Sequence, residues 1–140
     1  MATKYTLREA FVRYHRGLGK MPLRWKPFLT CLLVANMIAP LFAMYRLECQ
    51  VVFGVALLNG ATFVVLTAYT GFSRLLGFGH IFWIPLIVFL ALRLDEAADD
   101  TVHRTWMLVV IALNSISLLL DTYNVIRYFR GDHDELVADL

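Results

Sequence analysis

Four long stretches without charge constrain this chain more than any other feature. No charged side chain occurs over the 19 residues from Pro27 to Tyr45, or over the 25 from Cys49 to Ser73. From Leu75 to Leu92 the only ionisable group is His80, and from Thr105 to Ile126 the only charged one is Asp121. A hydrocarbon core about 30 Å thick is crossed by roughly 20 helical residues. All four stretches suit that length. Hydrophobic residues make up 59% of the chain, against about 45–50% in a soluble domain. The expected fold class is therefore an all-α integral membrane protein with four transmembrane helices, near 27–46, 50–72, 79–93 and 104–128. A basic arm (1–26) precedes them and an acidic tail (129–140) follows. The connections "RLEC", "SRLLGFGH" and "RLDEAADDTVHR" are short, which makes consecutive helices antiparallel and predicts an up-down four-helix bundle.

The basic residues set the expected orientation. Seven Lys and Arg lie in the first 26 residues. With four spans, ten of the 13 fall on the side of the arm, the 74–80 loop and the tail, and three on the other. The positive-inside rule then assigns both termini to the cytoplasm, as in a bacterial inner membrane. The first apolar run is too long and starts too late for a signal peptide, and no lipidation motif is present.

The arm has its own pattern. Leu7, Phe11, Tyr14 and Leu18 share one helical stripe, while Arg8, Arg13 and Arg16 lie elsewhere on the wheel. This predicts an amphipathic interfacial helix against anionic lipid head groups, weakened at Gly17 and Gly19. A basic flank that only enforces topology is the plainer alternative; a mitochondrial presequence is a third. The tail carries Asp132, Asp134, Glu135 and Asp139 and reads as a short frayed helix or disordered segment.

Polar residues inside the apolar stretches are the candidate site. Asn114, Ser117, Asp121, Asn124 and Tyr128 fall within an arc of about 80° on the last helix. A central carboxylate in lipid costs ~2.5–3.5 kcal/mol on the insertion scale, so this seam faces protein, internal water or another subunit. The second helix offers Ala56, Gly60, Phe63, Thr67 and Thr70, with Gly60 allowing close approach. Asp121 lies ~24 Å from Thr105 and ~10 Å from the cytoplasmic end. Its expected partners at that depth are Asn124, Thr67, Thr70, and Arg74 or His80. Such a cluster fixes helix register, relays protons or takes a ligand, or serves as a docking point for another protein. His80 and Trp83 read as interfacial, with Gly77 and Gly79 permitting a tight turn before them. Pro40 frees the Asn36 carbonyl in a regular helix, and the Asn36 side chain is expected to bond across the bundle.

Several classes find no support in the residues. There is no nucleophile–base pair, P-loop or HExxH, and the basic arm is accounted for by topology and lipid rather than nucleic acid. His80 and His103 fall at opposite membrane faces and cannot sandwich one haem. The acidic residues Asp95, Glu96, Asp99 and Asp100 have metal-compatible spacing, but capping of the last helix by Asp99, Asp100 or Thr101 is the simpler use. Cys31 and Cys49 form no CxxC and are expected too far apart for a disulfide. No cofactor and no metal are expected. The sequence thus reads as a small membrane protein without catalysis, an accessory or structural subunit in a homo-oligomer or larger membrane complex. The alternative is a small oligomeric transporter or channel that uses the seam around Asp121.

Overall fold

The computed structural model describes residues 3–137 and 140. Among them the chain is helical, with one isolated bridge between Ser73 and Glu135. Helix α1 covers Leu7–Lys20. Four further helical segments are long and apolar enough to cross a membrane: Leu23–Ala43, Leu47–Thr70, Arg74–Arg93 and Thr101–Phe129.

A capping box starts α1. The Glu9 N–H donates to the Thr6 hydroxyl at 3.3 Å, and the Thr6 N–H donates to the Glu9 carboxylate at 2.8 Å. The backbone and hydroxyl hydrogen bonds from Thr6 hold the Glu9 carboxyl below its ordinary pKa. Gly17 and Gly19 do not stop the helix. Gly17 is buried in it, and a Cβ there would lie 2.6 Å from the Phe72 ring. The residue is small because an aromatic side chain lies flat against it.

The first span is not one continuous α-helix. After Leu23–Trp25 come α2 (Lys26–Leu33), a π-helical turn (Val34–Ile38) and a 3-10 turn (Ala39–Ala43). Pro40 explains the change. In the π turn the Ala39 N–H donates to the Val34 carbonyl. The next bond in that register would run from residue 40 to Ala35, and proline has no N–H. The carbonyl left open is thus that of Ala35, one residue before the position a regular helix implies. The indole N–H of Trp106 donates to it at 3.0 Å.

Helix α3 (Leu47–Thr70) ends at Gly71, whose φ of 74° is left-handed and suits glycine. The third span opens as a 3-10 helix, Arg74–His80, and continues as α4 (Trp83–Arg93) with Pro85 in the first turn, where a missing N–H is tolerated. Helix α5 (Thr101–Phe129) is capped by Asp100, whose side chain accepts from the His103 N–H at 3.0 Å. That hydrogen bond, with the Arg46 and His103 charges, lowers the Asp100 pKa against the opposing effect of burial.

Two apolar clusters hold the helices together. The larger joins Leu32, Val52, Leu86, Leu90, Met107 and Val110. The smaller joins Phe63, Phe72 and Leu76, with Tyr14 and Leu18 of α1 and Leu136 of the tail packed against it. Only 22–28% of the apolar window of each span is buried. Phe42, Leu92 and Leu119 point outward. In water so much exposed apolar surface promotes aggregation; in hydrocarbon it is solvated.

The tail differs from the frayed segment expected. The Leu136 N–H donates to the Phe72 carbonyl at 2.9 Å. Asp132 pairs with Arg74 at 2.8 Å and with Arg127, and Glu135 pairs with Arg13. Charge pairing and the Phe72 backbone dock the segment. Asp139 lies outside the described residues.

Candidate functional site

The polar side chains of α5 meet partners one level at a time. At the deepest level, Asn114 and Asn36 form a reciprocal amide pair: each side-chain N–H donates to the other's oxygen at 2.9 Å. Asn36 also donates to the Leu32 carbonyl at 3.0 Å. Both asparagines are buried. The π turn brings Asn36 to this position.

A second buried amide belongs to α3. Asn59, with its amide oriented to suit both neighbours, donates to the Gly79 carbonyl at 3.0 Å and accepts from the Trp83 indole N–H at 2.8 Å. Trp83 is 4% exposed, so it is an interior anchor rather than the interfacial residue expected. The His80 ring stacks on it, with centroids 3.7 Å apart, and meets the edge of Phe63 at 4.6 Å.

His80 is thereby aimed at α5. Its Nδ1 lies 2.7 Å from Asp121 Oδ2, and the Ser117 hydroxyl donates to the same oxygen at 3.2 Å. Of the two partners expected for Asp121 beyond the neutral side chains, Arg74 or His80, the structure gives it His80. Arg74 turns instead to Asp132 and, at 3.5 Å, to the Asn124 side chain. Thr67 and Thr70 do not join Asp121: their hydroxyls donate to the Phe63 and Leu66 carbonyls within α3. A helical threonine hydroxyl finds the carbonyl one turn before it, which can accept a second bond, before any distant acceptor.

Glycines set how closely the pieces approach, though at other places than expected. Gly60 has nothing within 4 Å of a would-be Cβ. A Cβ on Gly77, by contrast, would lie 2.9 Å from the Asp121 Cβ and 3.0 Å from its backbone. One on Gly79 would lie 2.5 Å from the Phe63 ring. Neither Gly77 nor Gly79 has a positive φ, so they provide room rather than an unusual turn.

A second polar cluster lies at the other ends of the helices. Glu48 accepts from Arg93 at 2.6 Å, Arg93 also reaches Glu96, and His103 Nε2 stands 3.5 Å from Glu48. Arg46 pairs with the capping Asp100. A cleft of about 430 Å³ opens beside them, lined by Phe42, Tyr45, Arg46, Cys49, His103 and Trp106 among others. His80 and His103 belong to different clusters. Among the described residues no group of three or more His, Cys, Asp or Glu side chains converges as a metal site. Cys31 and Cys49 are free thiols.

Two of these groups are absent from the sequence reading. Asn59 precedes the buried Phe63 and Thr67 by four and eight residues, the spacing of one helix face. Glu48 sits in the first turn of α3, inside the "RLEC" connection. Comparison with protein families, curated proteins and solved structures returned no match for this chain.

Proposed function

We propose that the chain is a small polytopic membrane protein without catalysis of its own, acting as a structural or accessory subunit in a homo-oligomer or larger membrane complex. The spans run up and down across a membrane such as the bacterial inner membrane, with both termini cytoplasmic. The arm lies on anionic lipid head groups at that face. The observation that carries this reading is the closure of the α5 seam within the chain: Asn114 on Asn36, and Asp121 on His80 and Ser117. A seam consumed by internal partners locks helices together.

The second reading, a small oligomeric transporter or channel, draws on one feature. His80 and Asp121 form a titratable pair of the kind that relays protons in membranes. Proteoliposomes loaded with a pH-sensitive dye separate the two. The structural reading expects no proton flux above empty vesicles under an imposed potential. A flux that Asp121→Asn abolishes, with assembly intact, would overturn it in favour of transport.

A further inference from the structure

Arg13 is held as a bound anion would hold it. Its Nε and Nη2 grip the two Glu135 oxygens in a bidentate fork, and its Nη1 donates to the Leu140 carbonyl at 2.6 Å. The Tyr5 ring lies 4.7 Å below the guanidinium. Beside this fork a cleft of about 540 Å³ is lined by Arg8, Glu9, Val12, Arg13 and Arg16, together with Tyr5, Thr6 and Leu140. Glu9 is already engaged by the capping box. Among the described residues neither Arg8 nor Arg16 has a carboxylate partner. Three guanidinium groups thus border one cleft with Glu9 as the carboxylate in its lining, and Glu135 engages one of the three, Arg13, from beside it.

We infer that this cleft is a phosphate-binding site for the headgroup of an anionic phospholipid, and that Glu135 competes with the lipid for Arg13. The inference rests on the reading that α1 lies on the leaflet. A phosphate diester presents the same pair of oxygens to an arginine fork as a carboxylate does. Arg8 and Arg16 supply the charge the tail leaves unmatched. Leu7, Phe11 and Val12 are 64%, 54% and 49% exposed on the same helix. Val12 lines the cleft itself, and Leu7 and Phe11 lie on another face of α1. An apolar side chain within a basic cleft on an amphipathic helix favours a phosphate attached to acyl chains over a free one.

The test is native mass spectrometry on the full-length, delipidated protein, titrated with phosphatidylglycerol, phosphatidylcholine or inorganic phosphate. The wild type should bind phosphatidylglycerol preferentially. Arg8→Gln combined with Arg16→Gln should weaken that binding about thirtyfold and leave phosphatidylcholine unchanged. Glu135→Gln should strengthen it. The first variant touches no tail contact, so it decides the matter if loss of Glu135 perturbs folding. Displacement of the lipid by inorganic phosphate alone would identify a soluble ligand and overturn the lipid assignment. A spin label at Phe11→Cys, with Cys31→Ser and Cys49→Ser, separates this inference from the one beneath it. A label in lipid with unchanged phosphatidylglycerol binding in the arginine variant overturns the cleft alone. A label in water overturns the leaflet reading as well.

Discussion

Asp121 Oδ2 and His80 Nδ1 lie 2.7 Å apart, and each side chain is 17% exposed. The contact ties the start of the third span to the last third of α5, with Gly77 against the Asp121 backbone to allow the approach. Asp121→Asn keeps an oxygen that accepts from both the imidazole and Ser117, and is expected to cost less than about 1 kcal/mol. Asp121→Leu leaves His80 Nδ1 without its partner and should cost about 1–3 kcal/mol. Reversible unfolding in bicelles measures both. A neutral Asp121→Leu would mean the pair adds nothing to the fold.

The reciprocal amides of Asn36 and Asn114 should behave as a unit. Replacing either by Val takes from the other its buried amide partner, at about 1–2 kcal/mol. Replacing both removes the two stranded groups together, so the double variant should be less destabilised than the sum of the singles. Strict additivity in that cycle would show that the amides do not interact.

Glycine substitutions should divide by position. Gly60→Ala has open space and should stabilise α3 by up to about 1 kcal/mol, by helix propensity. Gly77→Ala and Gly79→Ala push a methyl group into Asp121 and Phe63 and should each cost about 1–3 kcal/mol. Thermal unfolding in mild detergent ranks the three, and equal tolerance at all of them would contradict the close packing of the third span.

The docked tail should loosen in acid. Burial alone would raise the Asp132 pKa, but the Arg74 hydrogen bond and the Arg74 and Arg127 charges outweigh it, and the value falls below the ordinary 3.8. A carboxylate depressed in the folded state contributes stability that is complete above its unfolded pKa and lost as pH falls through the folded one. The Asp132 contribution is thus intact at neutral pH and lost only below pH 3.8. The protection of the Leu136 amide, measured against its intrinsic exchange rate at each pH, should fall across that window in the wild type, whereas Asp132→Asn should have lost it already at neutral pH. Retained protection in that variant would show that Glu135 and the Phe72 backbone hold the tail without Asp132.

The orientation has a direct test. Reporters fused at Leu140 and inserted within residues 95–100 should give opposite signals, with the Leu140 fusion cytoplasmic. The same signal at both would break the four-span arrangement.

The sequence by itself determined that the chain has four helices able to cross a membrane, because charge-free stretches of that length have one inexpensive solution in hydrocarbon. It also determined which face of α5 is polar, because 3.6-residue periodicity follows from position alone. The tertiary structure decided the partners. Whether Asp121 meets Arg74 or His80 depends on a 3-10 turn, on two glycines thin enough to let His80 approach, and on a tail carboxylate that draws Arg74 away. Asn36 reaches Asn114 through a π turn that Pro40 induces, a register shift no wheel drawn at 100° contains. The Arg13–Glu135 fork joins residues more than a hundred positions apart. Helix periodicity is a local property and can be read locally; which side chains meet across a bundle depends on how closely the backbones approach, and only the folded chain settles that.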